Sequence, residues 1–117
     1  MTNSLLAVTF DCADAAALAR FWAGVLGRQV ASASTSRHAV LLAGGDTSEP
    51  CLVFNRVPEA KITKNRMHLD LISDTFDGES KRLLSLGARR LSDQQAGKSR
   101  WTTFADIEGN EFDLIAG

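Results

Sequence analysis

Three residue pairs, each sixty positions apart, constrain this chain most: Asp14 with Asp74, Leu26 with Leu86, and Gly27 with Gly87. In each copy an acidic residue stands where a helix N-cap belongs, and a glycine stands where a left-handed stop belongs. Between the first pair of signals, Leu18, Phe21, Trp22, Val25 and Leu26 recur at helical spacing and form one apolar stripe. Burying each large member of that stripe is worth about 1.5–3 kcal/mol. Between the second pair, residues 75–86 carry Phe76, Leu83, Leu84 and Leu86. Strand-like segments flank both helices: 5–11 before the first, with 28–34, 37–43 and 51–57 after it. The second has 68–73 before it and 88–92, 101–105 and 111–115 after it. Thr35-Ser36, Gly44-Gly45-Asp46 and residues 106–110 supply turns. Residues 92–100, with Gly97, read as a polar loop.

Each half therefore reads strand-helix-strand-strand-strand. The expected fold is α+β: two βαβββ modules forming a curled mixed-sheet cup with helices on the outer face. The modules are 1–57 and 66–117, joined by a connector at 58–65, in a single domain. One module alone would leave a sheet edge open, which is a liability.

Composition bounds the function classes. The chain has 117 residues, enough to bury a core without a metal or disulfide staple. Its net charge of -1 gives no strong field for nucleic acid or an anionic membrane. No apolar run is long enough for a membrane span, and no basic-then-apolar leader opens the sequence. The expectation is a cytoplasmic protein with no nucleic-acid or membrane partner. Cys12 and Cys51 lack metal-type spacing and read as reduced, buried thiols.

The chemistry concentrates in residues 64–74, which read as a strand of alternating character. Met67, Leu69 and Leu71 would face a helix, with His68 and Asp70 on the other side. His68 has the side chain whose ordinary pKa suits acid–base work near neutrality. Set against this is a bland reading in which His68 merely hydrogen-bonds locally. Asp70 reads as a rim or supporting carboxylate. Trp101, Phe54 and Phe104 are candidates for an apolar pocket wall, with strand parity sending some of them to the helix side. Arg56, Arg66 and Arg100 fall near strand ends, where an anionic ligand could be drawn. The acids among residues 106–111 lack the length and spacing of a calcium loop and read as a hairpin turn.

These segments resemble the vicinal oxygen chelate superfamily: the glyoxalase, bleomycin-resistance and extradiol-dioxygenase group, and within it the small bacterial glyoxalase-like domain proteins. Asp14 through Phe21-Trp22 to Leu26-Gly27 carries the match, as do Met67-His68-Leu69-Asp70-Leu71 and Leu86-Gly87-Ala88. The third part is Trp101 to Phe104 with Asp106-Ile107-Glu108-Gly109-Asn110-Glu111-Phe112-Asp113-Leu114, close to the family's Asp-Pro-Glu-Gly-Asn-Glu-Phe pattern.

The resemblance implies metal-ligand positions on the first and last strands of each module. They fall on Ala7 or Val8, on Cys51 or Val53, on His68 and on Asp113. Ala7 and Val8 cannot bind metal, so His68 and Asp113 remain, with Cys51 as an uncertain third. Two ligands hold a divalent ion weakly. The expectation is therefore no resident cofactor, with a weakly held divalent metal as the alternative. The resemblance also implies a homodimer and a small-molecule ligand in the cup. His68 and Asp113 are the catalytic candidates, and Thr9, Cys51, Val53, Asp70 and Trp101 the ligand-binding candidates. Two functions follow: lyase- or isomerase-type acid–base chemistry on a small metabolite, or drug sequestration without chemistry.

Overall fold

The computed structural model describes residues 2–45 and 49–117; Asp46, placed in a turn above, lies outside them. The chain divides into two compact units, Met1–Ala60 and Lys61–Gly117.

The first unit contains β1 (Ala7–Cys12), α1 (Ala15–Leu26), β2 (His38–Leu41) and β3 (Cys51–Arg56). Asp14 caps α1 by accepting the Ala17 N–H at 3.1 Å, and Gly27 ends it at φ 65°, a conformation that costs other residues a Cβ clash. The sheet order is β1-β3-β2, with β1 parallel and β2 antiparallel to β3. α1 lies against β2 and β3. Phe10 meets Trp22 and Phe54 at ring-centroid distances of 5.8 and 5.1 Å. Trp22 and Phe21 are core residues, as the stripe predicts. The strand expected at 28–34 is absent; only Val30 bridges, to Leu41. This unit is therefore βαββ plus one bridge rather than βαβββ.

The second unit contains β4 (Leu69–Ser73), α2 (Phe76–Leu86), β5 (Arg89–Ala96), β6 (Ser99–Ala105) and β7 (Glu111–Ala116). It has the full βαβββ order, with strands arranged β4-β7-β6-β5 and β4 parallel to β7. α2 lies against β4, β5 and β7. Phe104 and Phe112 stack at 5.7 Å between helix and sheet. Residues 92–100, expected to be a loop, form most of a long hairpin; Gly97, at φ 60°, sits in its turn. Asp106 closes the β6–β7 turn as expected, accepting from the Glu108 and Asn110 backbone N–H groups at 2.9 Å each.

The helix cap is corrected. Thr75, not Asp74, is the N-cap of α2, and its side chain makes no capping hydrogen bond. The spacing between the two caps, like that between the last residues of β1 and β4 (Cys12 and Ser73), is one residue longer than that between the glycine stops. The difference arises because α2 has 11 residues and α1 has 12. With this register, Thr9–Val53–Val40 in the first sheet takes the place that Asp70–Asp113–Thr103 takes in the second. The two units together are α+β, with mixed sheets of three and four strands.

Candidate functional site

In the second sheet, period-two alternation sends Phe104, Phe112 and Leu114 to the helix side, where they are buried. The opposite face carries Asp70 on β4, Asp113 on β7 and Thr103 on β6. Register makes these three direct neighbours across the strands. Thr103 donates its hydroxyl to Asp113 Oδ1 at 2.6 Å. His68 stands immediately before β4 rather than within it. Its Nδ1 lies 2.9 Å from Asp70 Oδ1 and 3.8 Å from Asp113 Oδ2. A carboxylate only accepts, so Nδ1 carries the proton shared with Asp70, and Nε2 is left with its lone pair.

The backbone leading to His68 is fastened to the same face. Glu111 on β7 accepts from the Asn65 backbone N–H at 3.0 Å and pairs with Lys61 at 3.3 Å. The Asn65 side-chain amide returns a hydrogen bond to the Glu111 carbonyl at 3.3 Å. Burial pushes the Glu111 carboxyl up, but the Asn65 N–H, its own backbone N–H and the Lys61 ammonium outweigh that and hold it below its ordinary value. Nothing in the local sequence announced this clasp, because it joins residues far apart in the chain.

His68, Asp70 and Asp113 also form a group whose ligand atoms all lie within 4.8 Å of one another. Donors that share a small divalent ion at about 2.1 Å sit about 3–4.2 Å apart. The distances from His68 Nδ1 fit that range, and an imidazole with two carboxylates suits Mn²⁺ or Zn²⁺. Asp70 thus stands where a third donor would, whereas the sequence offered His68 and Asp113 with Cys51 as an uncertain third. Binding through Nδ1 would require loss of the proton now shared with Asp70.

The remaining candidates fall as follows. Trp101 lies on the His68 side of the sheet, in register with Ile115, and Ile72 completes that rung. Phe104 belongs to the helix side of the second sheet and Phe54 to that of the first; both are fully buried and line no open wall. Met67, expected to face a helix, is 74% exposed. Arg100 leaves the helix side of β6 and lies over the Phe76 ring. In the first unit Thr9 is the register partner of Val53, and Ala7 of Cys51, all on the face away from α1. Cys51 is only half-buried, with its thiol 3.5 Å from the Leu6 carbonyl, while Cys12 is buried; neither forms a disulfide. Val53 holds the register place of Asp113 and has no donor atom. Among the described residues no helix is long and apolar enough to cross a membrane.

A family model described as a glyoxalase-like domain matches residues 7–115. Several solved structures share the fold. A glyoxalase/bleomycin resistance/dioxygenase family enzyme from Burkholderia phytofirmans aligns at TM-score 0.78 and 19% identity, covering 97% of this chain and 98% of its own. A variant of the fosfomycin resistance protein FosX from Listeria monocytogenes, complexed with Mn(II) and 1S,2S-dihydroxypropylphosphonic acid, aligns at 0.80 and 17%, covering 100% and 92%. Lactoylglutathione lyase from Agrobacterium tumefaciens aligns at 0.68 and 13%, covering 100% and 96%. No curated protein matches the sequence.

Proposed function

Because the chain belongs to the glyoxalase-like domain family, we propose that it binds a small oxygenated or thiol-conjugated metabolite beside His68 and moves a proton on it. The observation that carries this reading is the 2.9 Å contact between His68 Nδ1 and Asp70 Oδ1. It fixes the imidazole tautomer, so that Nε2 acts as base towards the ligand. Nε2 takes a proton from a carbon next to a carbonyl and returns it to the neighbouring carbon or oxygen, which is a net isomerisation. Asp70 and Asp113 stabilise the imidazolium formed between the two transfers. Thr103 holds Asp113 in place through Oδ1. If a divalent ion is held, His68, Asp70 and Asp113 are its ligands, and it would supply Lewis acidity towards a ligand oxygen.

A second reading, sequestration without chemistry, is favoured by the next rung of the same face. Ile72, Ile115 and Trp101 stand side by side there, with Ile72 74% exposed. That strip suits the flat apolar body of a bound compound.

One experiment separates the two. Candidate metabolites are incubated with the protein in D₂O, and carbon-bound deuterium is followed by NMR. Acid–base chemistry predicts exchange with wild type that is lost in His68→Gln. Saturable binding with no exchange on any binder supports sequestration and overturns the catalytic assignment.

A further inference from the structure

Residues 58–68 form an exposed stretch in which Asn65 alone is half-buried. Such a segment gains little from packing, so its order rests on the few bonds it makes. Among the described residues, the hydrogen bonds and ion pairs that tie this stretch to the rest of the chain end on Glu111, Asp70 and Asp113. The bonds to Asp70 and Asp113 come from His68 itself. Glu111 supplies every other hold.

Glu111 is suited to be a fixed post. It opens β7, is the register partner of Ala105 on β6, and has a side chain only 16% exposed. Its carboxylate accepts from the Asn65 backbone N–H, and its carbonyl accepts from the Asn65 side-chain amide. Two bonds to one residue fix both where the backbone lies at Asn65 and how it is turned.

His68 depends on this post more than Asp70 does. The β4–β7 ladder begins at Leu69 and Phe112, so Asp70 lies inside it with a paired residue on either side. His68 lies outside, with the ladder on one flank only. On its other flank the nearest fastening is Asn65, roughly 10 Å of extended chain away. Without that fastening, the next one back is Val57, whose N–H reaches the Cys12 carbonyl at 2.9 Å. His68 and Asp70 are both exposed, and a contact between exposed groups contributes little alone. The ring keeps its aim only where the backbone beneath it is held. Aim matters, because a displacement of about 1 Å can cost about a hundred-fold in rate.

We infer that Glu111 is a positioning residue for His68: through Asn65 it holds the backbone before β4 so that Nδ1 meets Asp70 and Nε2 faces the ligand. This rests on the reading of His68 as the base. It adds that a residue touching neither the ring nor the ligand sets the direction of the lone pair.

The test follows the full chain by long-range ¹H–¹⁵N NMR of His68 and by hydrogen exchange at the Asn65 amide, with no metabolite present. Glu111→Ala should abolish the preference of the His68 proton for Nδ1 and speed Asn65 exchange at least about ten-fold. Glu111→Gln, which keeps an oxygen for the Asn65 N–H, should restore both. Asn65→Ala removes only the side-chain bond to the Glu111 carbonyl; it should shift the ring part of the way, and it gives the answer if Glu111→Ala does not fold. Leu83→Val, a change in the buried helix side, should lower the urea midpoint and leave the His68 ring as in wild type. An unchanged ring in Glu111→Ala and Asn65→Ala, no rescue by Glu111→Gln, or the same ring change in Leu83→Val overturns the proposal. If the ring responds as expected while no metabolite exchanges deuterium, the reading of His68 as base fails and the positioning by Glu111 stands.

Discussion

Asp70 and Asp113 are register partners on the parallel strands β4 and β7, and His68 Nδ1 lies within 4 Å of a carboxylate oxygen of each. Two carboxylates converging on one imidazole fix the direction in which that ring is aimed. The functional reading grows from this one rung.

The first prediction concerns metal affinity. Titration calorimetry with Mn²⁺ or Zn²⁺ should show weak binding to the wild type. Asp70→Asn, Asp113→Asn or His68→Ala, each removing one of the three donors, should weaken it by at least about ten-fold, since even the loss of a group that only supports a ligand costs about that much. An unchanged affinity in Asp70→Asn would remove that residue from the donor set.

The second concerns pH. The Glu111 carboxyl is held below its ordinary 4.5 in the folded chain. A lowered folded value means that the stabilisation is complete above the unfolded value and is lost as pH falls through the folded one. Urea unfolding of wild type and Glu111→Gln should therefore show a wild-type advantage at about pH 6 that shrinks by about pH 3. An advantage that stays constant across this range would contradict the clasp.

How much was legible in the sequence can be seen element by element. Helix α1 was readable because stripe, cap and stop agree. The hairpin at residues 92–100 was not, because every residue of β5 is exposed and such a strand shows no apolar alternation. The two-residue spacing of His68 and Asp70 was visible, but their contact with Asp113 depends on strand pairing between distant segments. The cap of α2 was misplaced because one helix is a residue shorter than the other, which breaks the even spacing.

That cap supplies the third prediction. Thr75 makes no side-chain capping bond to α2, so Thr75→Asp should stabilise the protein by about 0.5–1 kcal/mol in chemical denaturation. The change also places a negative charge at the helix start, which adds in the same direction. Destabilisation would mean that the Thr75 hydroxyl contact with Ser73, at 3.2 Å, matters more than the cap.

The fourth tests the second core. Phe112 is 1% exposed and stacks on Phe104. Phe112→Ala should cost about 3–5 kcal/mol. The substitution would also loosen β7 between Glu111 and Asp113, so the clasp and the carboxylate should be disturbed together.

The most direct measurement is long-range ¹H–¹⁵N NMR of the two histidines at a pH where the rings are neutral, with His38→Gln used to assign His68. The predicted spectrum has Nδ1 of His68 protonated and Nε2 bare, and this preference is lost in Asp70→Asn. A His68 ring that carries its proton on Nε2 in the wild type would contradict the account.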